Sequence, residues 1–191
     1  MRDVEHIFGV KILACNFADH QRATFLPLRK EFNKIIRDYA SINKSNRGGY
    51  QSPDIEVNKA GPYIQGWFAQ MEEKISNFAK ECFKPAPQLN IQSFWINQNK
   101  KADYNIPHTH PKCLFAGVYY MDAPRDCGRI ILEAPYADTV EYAAVENYFH
   151  TQYRIPVKKG LLLIFPSWIK HSVETNNSDQ KRTSIAFNIG T

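Results

Sequence analysis

The hydrophobic periodicity of this chain changes character once, near Pro85 and Pro87. Before these prolines, apolar residues recur at the three- and four-residue spacing of amphipathic helices. After them, short runs rich in β-branched and aromatic residues follow one another closely, as strands do. Helices first and strands afterwards are typical of an α+β domain, in which helices pack on one face of a mainly antiparallel sheet.

Two amphipathic helices are predicted in the first part of the chain. The apolar positions of the first helix are Phe25, Leu28, Phe32, Ile35, Ile36 and Tyr39. The second helix is predicted to run from about Pro62 to Phe83, because proline favours the first turn of a helix. Its apolar stripe consists of Ile64, Phe68, Met71, Ile75, Phe78 and Cys82. We expect both stripes to be buried in the core, since most helical stability comes from packing such a face.

Strands are predicted mainly after Pro87. The predicted strands are Ile7 to Leu13, Leu89 to Asn97, Leu114 to Met121, Arg129 to Leu132, Tyr153 to Val157, Gly160 to Phe165 and Arg182 to Ile189. About six to eight strands after Pro87 favour a double-stranded β-helix, the jelly-roll type of barrel. We therefore expect one domain over residues 1–191, with a helical N-terminal part at about 1–87 and a jelly-roll core at about 88–191.

An insert from Ala134 to Gln152 interrupts the strand pattern. It is mixed in composition and aromatic, with Tyr136, Tyr142 and Tyr148 among its residues. One interpretation is that this insert lies near the mouth of the barrel and serves as a lid. The alternative is a fixed buttress on the outside of the sheet.

Composition excludes several classes of protein. The net charge of +5 comes from short, scattered clusters, so nucleic-acid binding is not indicated. No stretch approaches the length of a membrane span, and no membrane partner is expected. The four cysteines show no CxxC spacing and are expected to be reduced thiols, which indicates a cytoplasmic protein.

The motif His108-Thr109-His110 carries the strongest chemical signal. Two residues separated by one position point to the same side of an extended segment, because the strand period is two. A third histidine, His171, follows the apolar run Leu161 to Phe165, whose end is expected at the mouth of the sheet. Three imidazoles from two strand ends would form a facial metal site with open positions, as iron enzymes that activate dioxygen require. The pair alone is a weak signal, and purely structural histidines remain the alternative.

An arginine eleven residues after His171 suggests an anion site. Arg182, Ser184, Ala186 and Asn188 share one face of the last predicted strand. If Arg182 points into the barrel, the small Ser184 and Ala186 leave room for a ligand. An inward guanidinium then needs an anionic partner, because an isolated buried charge is costly. The alternative is a surface arginine, which the neighbouring Lys181 leaves open.

Several segments together resemble the 2-oxoglutarate- and Fe(II)-dependent oxygenases, in the branch with a His-X-His-Pro motif that is related to prolyl 4-hydroxylase-like enzymes. The segments that carry the resemblance are Trp95-Ile96-Asn97, His108-Thr109-His110-Pro111, Gly117-Val118-Tyr119-Tyr120, Gly160 to Trp168, His171-Ser172-Val173 and Arg182 to Asn188. The stretch Ser45-Asn46-Arg47-Gly48-Gly49-Tyr50-Gln51-Ser52 is also similar to a Ser-Asn-x-Gly-Gly-Trp-Gln-Ser stretch of that branch. The resemblance thus spans nearly the whole chain.

The resemblance implies a role for individual residues. It implies that His108 and His171 bind iron and that Arg182 holds the distal carboxylate of 2-oxoglutarate, with Tyr120 as a second donor. Tyr119 would face the other surface of the sheet. Asn97 and Asn188 are weaker matches to residues that line the co-substrate pocket. The wider superfamily usually has Asp or Glu at the position of His110, so a site formed by His108, His110 and His171 lacks an anionic ligand.

The function implied by the resemblance is that of an Fe(II)- and 2-oxoglutarate-dependent dioxygenase, most simply a hydroxylase. Its substrate would be a small molecule or a protein side chain, and the sequence does not indicate the oligomeric state. Two alternatives stay open. One is a three-histidine, cupin-like dioxygenase that needs no oxo acid, against which Arg182 argues. The other is a non-catalytic β-barrel binding protein.

Overall fold

A computed structural model describes residues 4–17, 25–144 and 148–191, including all of their side chains except those of Glu5 and His6. The helices are α1 Phe25–Asp38, α2 Pro62–Cys82 and α3 Ala137–Tyr142, and Val57–Lys59 forms a 3-10 turn. The strands are β1 Val4–Ile7, β2 Val10–Asn16, β3 Asn46–Arg47, β4 Tyr50–Gln51, β5 Ile55–Glu56, β6 Asn90–Asn99, β7 Tyr104–His108, β8 Phe115–Asp122, β9 Arg129–Glu133, β10 Gln152–Pro156, β11 Leu161–Pro166, β12 His171–Val173 and β13 Arg182–Gly190.

The strands form two antiparallel sheets. Within the described residues, the larger sheet has eight strands in the order β1-β2-β11-β8-β13-β6-β4, with β5 also paired to β6. The smaller sheet has the order β10-β9-β12-β7-β3. A buried apolar cluster joins them, since Val118 and Leu163 of the larger sheet belong to it together with Ile130 and Leu132 of the smaller one. This is the predicted jelly-roll arrangement, and the α+β prediction is confirmed.

The two long helices cover the outer face of the larger sheet. Five of the six predicted stripe positions of α2 are buried, and Trp67 and Ala79 are buried in addition. The exception is Cys82, at the end of the helix, which is only partly buried. The Trp67 ring lies 5.7 Å from that of Phe32 and 5.0 Å from that of Tyr119, both close to edge-to-face. Tyr119 therefore belongs to the helix-facing core, as its predicted orientation requires.

The start of α2 depends on α1. Gly61, the residue before this helix, offers no side-chain cap. The carboxylate of Glu31 in α1 instead accepts the backbone N–H of Ile64 at 2.9 Å and that of Tyr63 at 3.4 Å. A Cβ at position 61 would lie 2.3 Å from this carboxyl group, so a side chain there would displace the cap. The anionic cap also complements the positive end of the helix dipole.

The N-terminal part contains more strand than the sequence predicts. The single strand expected from Ile7 to Leu13 is wrong, because β1 and β2 form a hairpin that turns at Phe8 and Gly9. Both turn residues have positive φ, 51° and 79°. Phenylalanine rarely adopts this conformation, so the composition of the segment gave no turn signal. Strand β2 then pairs with β11 and extends the larger sheet.

The predicted insert contains the short helix α3 and leads into β10. It begins beside the site-bearing strand β12, since Glu133 donates its N–H to the carbonyl of Lys170. Tyr142 and Tyr148 are 94% and 84% exposed. Residues 145–147 lie outside the described part, and closure of the insert over the barrel stays a prediction. None of the described helices is both long and apolar enough to cross a membrane.

Candidate metal centre and co-substrate pocket

Three histidines meet at one end of the barrel, between β7 and β12. His108 is the last residue of β7 and pairs directly with His171, the first residue of β12. His110 follows two residues after His108. The ring centroids are 4.2 Å apart for His108 and His171, 5.0 Å for His110 and His171, and 5.4 Å for His108 and His110. One ligand nitrogen from each ring lies within 4.8 Å of the other two, so a single metal ion can contact all three.

The backbone fixes the tautomer of two of these rings. Nδ1 of His108 lies 2.8 Å from the carbonyl of Ile106, and Nδ1 of His171 lies 3.0 Å from the carbonyl of Ile169. A carbonyl oxygen only accepts hydrogen bonds, so Nδ1 carries the proton in both rings. The lone pair of each Nε2 is then available to a metal.

His110 is oriented by a side chain instead. Its Nδ1 lies 2.9 Å from Oδ1 of Asn188, whose Nδ2 is 3.5 Å from Oγ of Ser93. The indole of Trp95 packs against the same imidazole at 5.1 Å between ring centroids. Asn188, predicted to line the co-substrate pocket, therefore contacts a histidine of the triad. Because Oδ1 accepts from Nδ1, the lone pair of His110 lies on Nε2.

Burial keeps the triad neutral. It lowers the pKa of His110 to about 4, and the neighbouring His108 adds to the effect. Burial also lowers the pKa of His108 and, more strongly, that of His171, which lies beside both other rings. Neutral imidazoles are the protonation state that binds metals. The cluster contains no carboxylate, so a divalent ion bound there would keep its full charge.

Arg182 is buried farther along the same barrel, at the start of β13. Its side chain is 1% exposed. Nη1 donates to the carbonyls of Cys127 and Glu174, while Nη2 has no hydrogen-bond partner among the described residues. Burial lowers the pKa of this guanidinium, and Tyr120 opposes that shift. The two carbonyls satisfy Nη1 of the guanidinium, whereas the buried Nη2 can still donate to another acceptor.

A row of polar side chains crosses the inner face of the larger sheet next to Arg182. Ser184 of β13 is paired with Tyr120 of β8 on one side and with Asn97 of β6 on the other, and Asn97 is paired with Gln51 of β4. Among the described residues, no hydrogen-bond partner is found for Oη of Tyr120, Oδ1 of Asn97 or Oε1 of Gln51. Burial raises the pKa of Tyr120, so its hydroxyl stays protonated and can donate.

Two cavities adjoin the triad and share part of their walls. The inner cavity, of about 40 Å³, is bordered by all three histidines and by Tyr120, Asn97, Ser184 and Ala186. The outer chamber, of about 570 Å³, opens beside His108 and His110. Ser45, Trp95, His108 and His110 border both spaces. A ligand in the outer chamber would therefore lie next to the triad.

Sequence reasoning missed Ser45, Gln51 and Asn105 as site residues. Ser45 and Asn105 border the inner cavity and are joined by a hydrogen bond of 3.1 Å from Nδ2 of Asn105 to Oγ of Ser45. The sequence of the stretch from Ser45 to Ser52 carries a resemblance but no motif that indicates a binding site. Its place beside the triad comes from the pairing of β3 with β7 and of β4 with β6, which no local pattern encodes.

Comparison with known proteins agrees with this geometry. A family model described as "Putative 2OG-Fe(II) oxygenase" matches residues 93–188, which is half of the chain. The chain belongs to this family. It is therefore an oxidoreductase of the 2-oxoglutarate-dependent oxygenases, with Fe(II) as metal and 2-oxoglutarate as co-substrate. No curated protein gave a significant match.

Solved structures share the fold of this 2OG-Fe(II) oxygenase at low sequence identity. An oxidoreductase of the 2OG-Fe(II) oxygenase family from Burkholderia pseudomallei has a TM-score of 0.64 and 14% identity, over 94% of this chain and 85% of the other. A prolyl-4-hydroxylase from Pseudomonas putida has a TM-score of 0.61 and 13% identity, over 93% and 91%. HygX from Streptomyces hygroscopicus, solved with nickel, 2-oxoglutarate and hygromycin B, has a TM-score of 0.60 and 11% identity, over 94% and 82%.

The residues of the oxygenase fit both groups that the family uses. Three neutral imidazoles suit a divalent iron and leave positions for other ligands. The free donors of Arg182 and Tyr120 suit a carboxylate. The inner cavity beside these groups has a volume of about 40 Å³, which is room for about three waters.

Proposed function

We propose that this oxygenase is a hydroxylase in which His108, His110 and His171 hold Fe(II), and Arg182 with Tyr120 holds the distal carboxylate of 2-oxoglutarate. The observation that carries the proposal is the combination of a neutral imidazole cluster and a buried, partly unpaired guanidinium in one barrel. When bound, the iron supplies the oxidising chemistry, coupled to the conversion of 2-oxoglutarate and O2 into succinate and CO2.

Arg182 is suited to its proposed role by its fixed position. The two backbone carbonyls that accept from Nη1 hold the guanidinium plane in place, so little side-chain entropy is lost when Nη2 meets a carboxylate. Tyr120 contributes a neutral donor, because burial keeps its proton in place. A guanidinium that is partly satisfied by backbone carbonyls thus still has a donor for the ligand.

The absence of a carboxylate from the triad sets a requirement on the co-substrate. A site of three neutral ligands leaves the charge of Fe(II) uncompensated. The dianion of 2-oxoglutarate compensates it, so we expect co-substrate and metal to bind cooperatively. Asn97 contributes a carboxamide to the proposed pocket. It borders the inner cavity and is paired with Gln51, which borders the outer chamber.

The substrate is proposed to be a small molecule or a protein side chain that enters through the outer chamber, because this chamber shares walls with the triad. We expect the enzyme to act in the cytoplasm, since all four cysteines are free thiols.

Turnover of 2-oxoglutarate by the Fe(II)-loaded protein tests the proposal. We expect O2-dependent formation of succinate, and a product that has gained one oxygen atom when a substrate is present. His108→Ala and His171→Ala should lose both iron and succinate formation, whereas His150→Ala, an exposed histidine outside the cluster, should retain iron. Succinate formation that survives the loss of His108 and His171 would overturn the proposed metal site.

A further inference from the structure

We propose that the segment Ser45 to Ser52 is the recognition element for the primary substrate, and that the outer chamber takes a small, uncharged polar molecule carrying N–H or O–H donors. Gln51 is proposed to accept one of these donors through Oε1. This inference rests on the proposed function, because it concerns the substrate of the same site.

The segment reaches both sheets beside the triad. Strand β3 pairs with β7, which ends at His108, and β4 pairs with β6, which carries Trp95 and Asn97. Gly48 and Gly49 connect the two strands with φ of 70° and 65°. A Cβ at Gly48 would lie 2.0 Å from Oδ1 of Asp103, so both conformation and space require glycine there.

Gln51 is fixed in position by its neighbours. Its N–H donates to Oγ of Ser41 at 3.1 Å, and its carbonyl accepts the N–H of Ile42 at 2.9 Å. The next residue, Ser52, exchanges hydrogen bonds with Ile96 of β6 at 2.9 Å and 3.0 Å. This much hydrogen bonding specifies one backbone conformation for a short segment.

The side chain of Gln51 is unsatisfied at the wall of the chamber. Gln51 is 2% exposed and borders the outer chamber. No described residue donates to its Oε1. A buried carboxamide oxygen without a donor costs free energy. A ligand donor in the chamber would recover it once a turn of the Gln51 side chain brings Oε1 to the chamber wall. Gln51 lies at one end of the row that continues through Asn97 and Ser184 to Tyr120. Its proposed ligand is therefore separated from the proposed site of the 2-oxoglutarate carboxylate at the other end.

Two of the three charged side chains that border the chamber neutralise each other. Lys44 Nζ lies 2.9 Å from both carboxylate oxygens of Asp54, and Lys112 is exposed. The rest of the wall is neutral, with the indole of Trp95 and the side chains of Gln51 and Asn188 among its groups. Its volume of about 570 Å³ is in the range of small-molecule sites. Neutral hydrogen-bonding groups around an aromatic ring favour a neutral polar ligand over a phosphorylated one.

Direct binding tests the inference without turnover. The Zn(II)-loaded protein, saturated with 2-oxoglutarate, would be titrated with methyl α-D-glucopyranoside, myo-inositol and uridine as neutral donor-bearing probes. Glucose 6-phosphate, UMP and a prolyl tripeptide serve as charged and peptidic counterparts. We expect at least one neutral probe to bind more tightly than any counterpart, by calorimetry or saturation-transfer NMR.

Two matched variants assign the binding to Gln51. Gln51→Leu removes the acceptor and keeps a similar side-chain volume. It should lower the affinity for the neutral probe by about tenfold or more. Gln98→Leu is the control, since Gln98 lies next to Asn97 on β6 and its side chain points to the opposite face of the sheet. Both variants should bind 2-oxoglutarate like the wild type.

The outcomes separate this inference from the proposed function. If 2-oxoglutarate binds but no neutral probe does, or if a phosphorylated or peptidic probe binds best, the inference is wrong and the proposed function stands. Equal probe affinity in Gln51→Leu and the wild type would remove Gln51 from recognition. Failure of 2-oxoglutarate itself to bind would overturn the proposed function, and the inference with it.

Discussion

Nδ1 of His110 lies 2.9 Å from Oδ1 of Asn188, a residue 78 positions later in the chain. The other two histidines of the triad donate to a backbone carbonyl two residues before them. His110 alone depends on a side chain for its tautomer. Asn188 is therefore best described as a positioning residue for the triad.

Replacing Asn188 tests this relationship. Asn188→Leu leaves the Nδ1–H of His110 without an acceptor and frees the ring to turn, so Fe(II) affinity should fall by about 10- to 100-fold. Asn188→Asp keeps an acceptor and should retain metal binding at least as well as the wild type. Competition with a chelator of known affinity measures both. A leucine variant that binds Fe(II) like the wild type would show that Asn188 does not orient His110.

The lowered pKa values of the triad predict how the stability of the metal-free protein depends on pH. In the unfolded chain histidine takes up a proton near its ordinary pKa of 6.5, whereas the pKa of folded His110 is about 4. Between these values the unfolded state binds more protons, so the free energy of unfolding falls as the pH is lowered from 6.5 toward 4. Thermal unfolding from pH 8 to pH 5 should show this loss, with a smaller slope for His110→Gln. Identical slopes would mean that His110 is not held neutral by burial.

The insert is predicted to exchange its amide hydrogens faster than the barrel. Of the residues of α3, Val140 alone is buried, whereas β11 contains four buried residues in succession. Hydrogen exchange in α3 should be fast in the free enzyme and should slow when substrate and co-substrate bind, because a lid becomes ordered on closure. Protection of α3 as strong as that of β11 in the free enzyme would make the insert a buttress.

Local patterns in the sequence predict the helices and the main strands well. The stripe of α2 follows a 3.6-residue period over many turns, and His108 and His110 share a side because the strand period is two. The turn at Phe8 and Gly9 was missed because its first residue is atypical for positive φ. The contact of Asn188 with His110 and the place of Gln51 beside Asn97 were missed because both depend on pairing between distant strands.

Anaerobic titration of the Fe(II)-loaded enzyme with 2-oxoglutarate tests the central claim most directly. The account predicts binding of one equivalent, weakened by about tenfold or more in Arg182→Ala, since a charge-assisted hydrogen bond contributes about 1.5–3 kcal/mol. Arg182→Lys should recover part of the affinity for 2-oxoglutarate. Tyr120→Phe should lower this affinity less than Arg182→Ala does, and it leaves the hydrogen bonds of Arg182 to the carbonyls of Cys127 and Glu174 in place. Iron content should be unchanged in all three variants, because neither residue belongs to the triad. Equal affinity of Arg182→Ala and the wild type for 2-oxoglutarate, at equal iron content, would contradict the account.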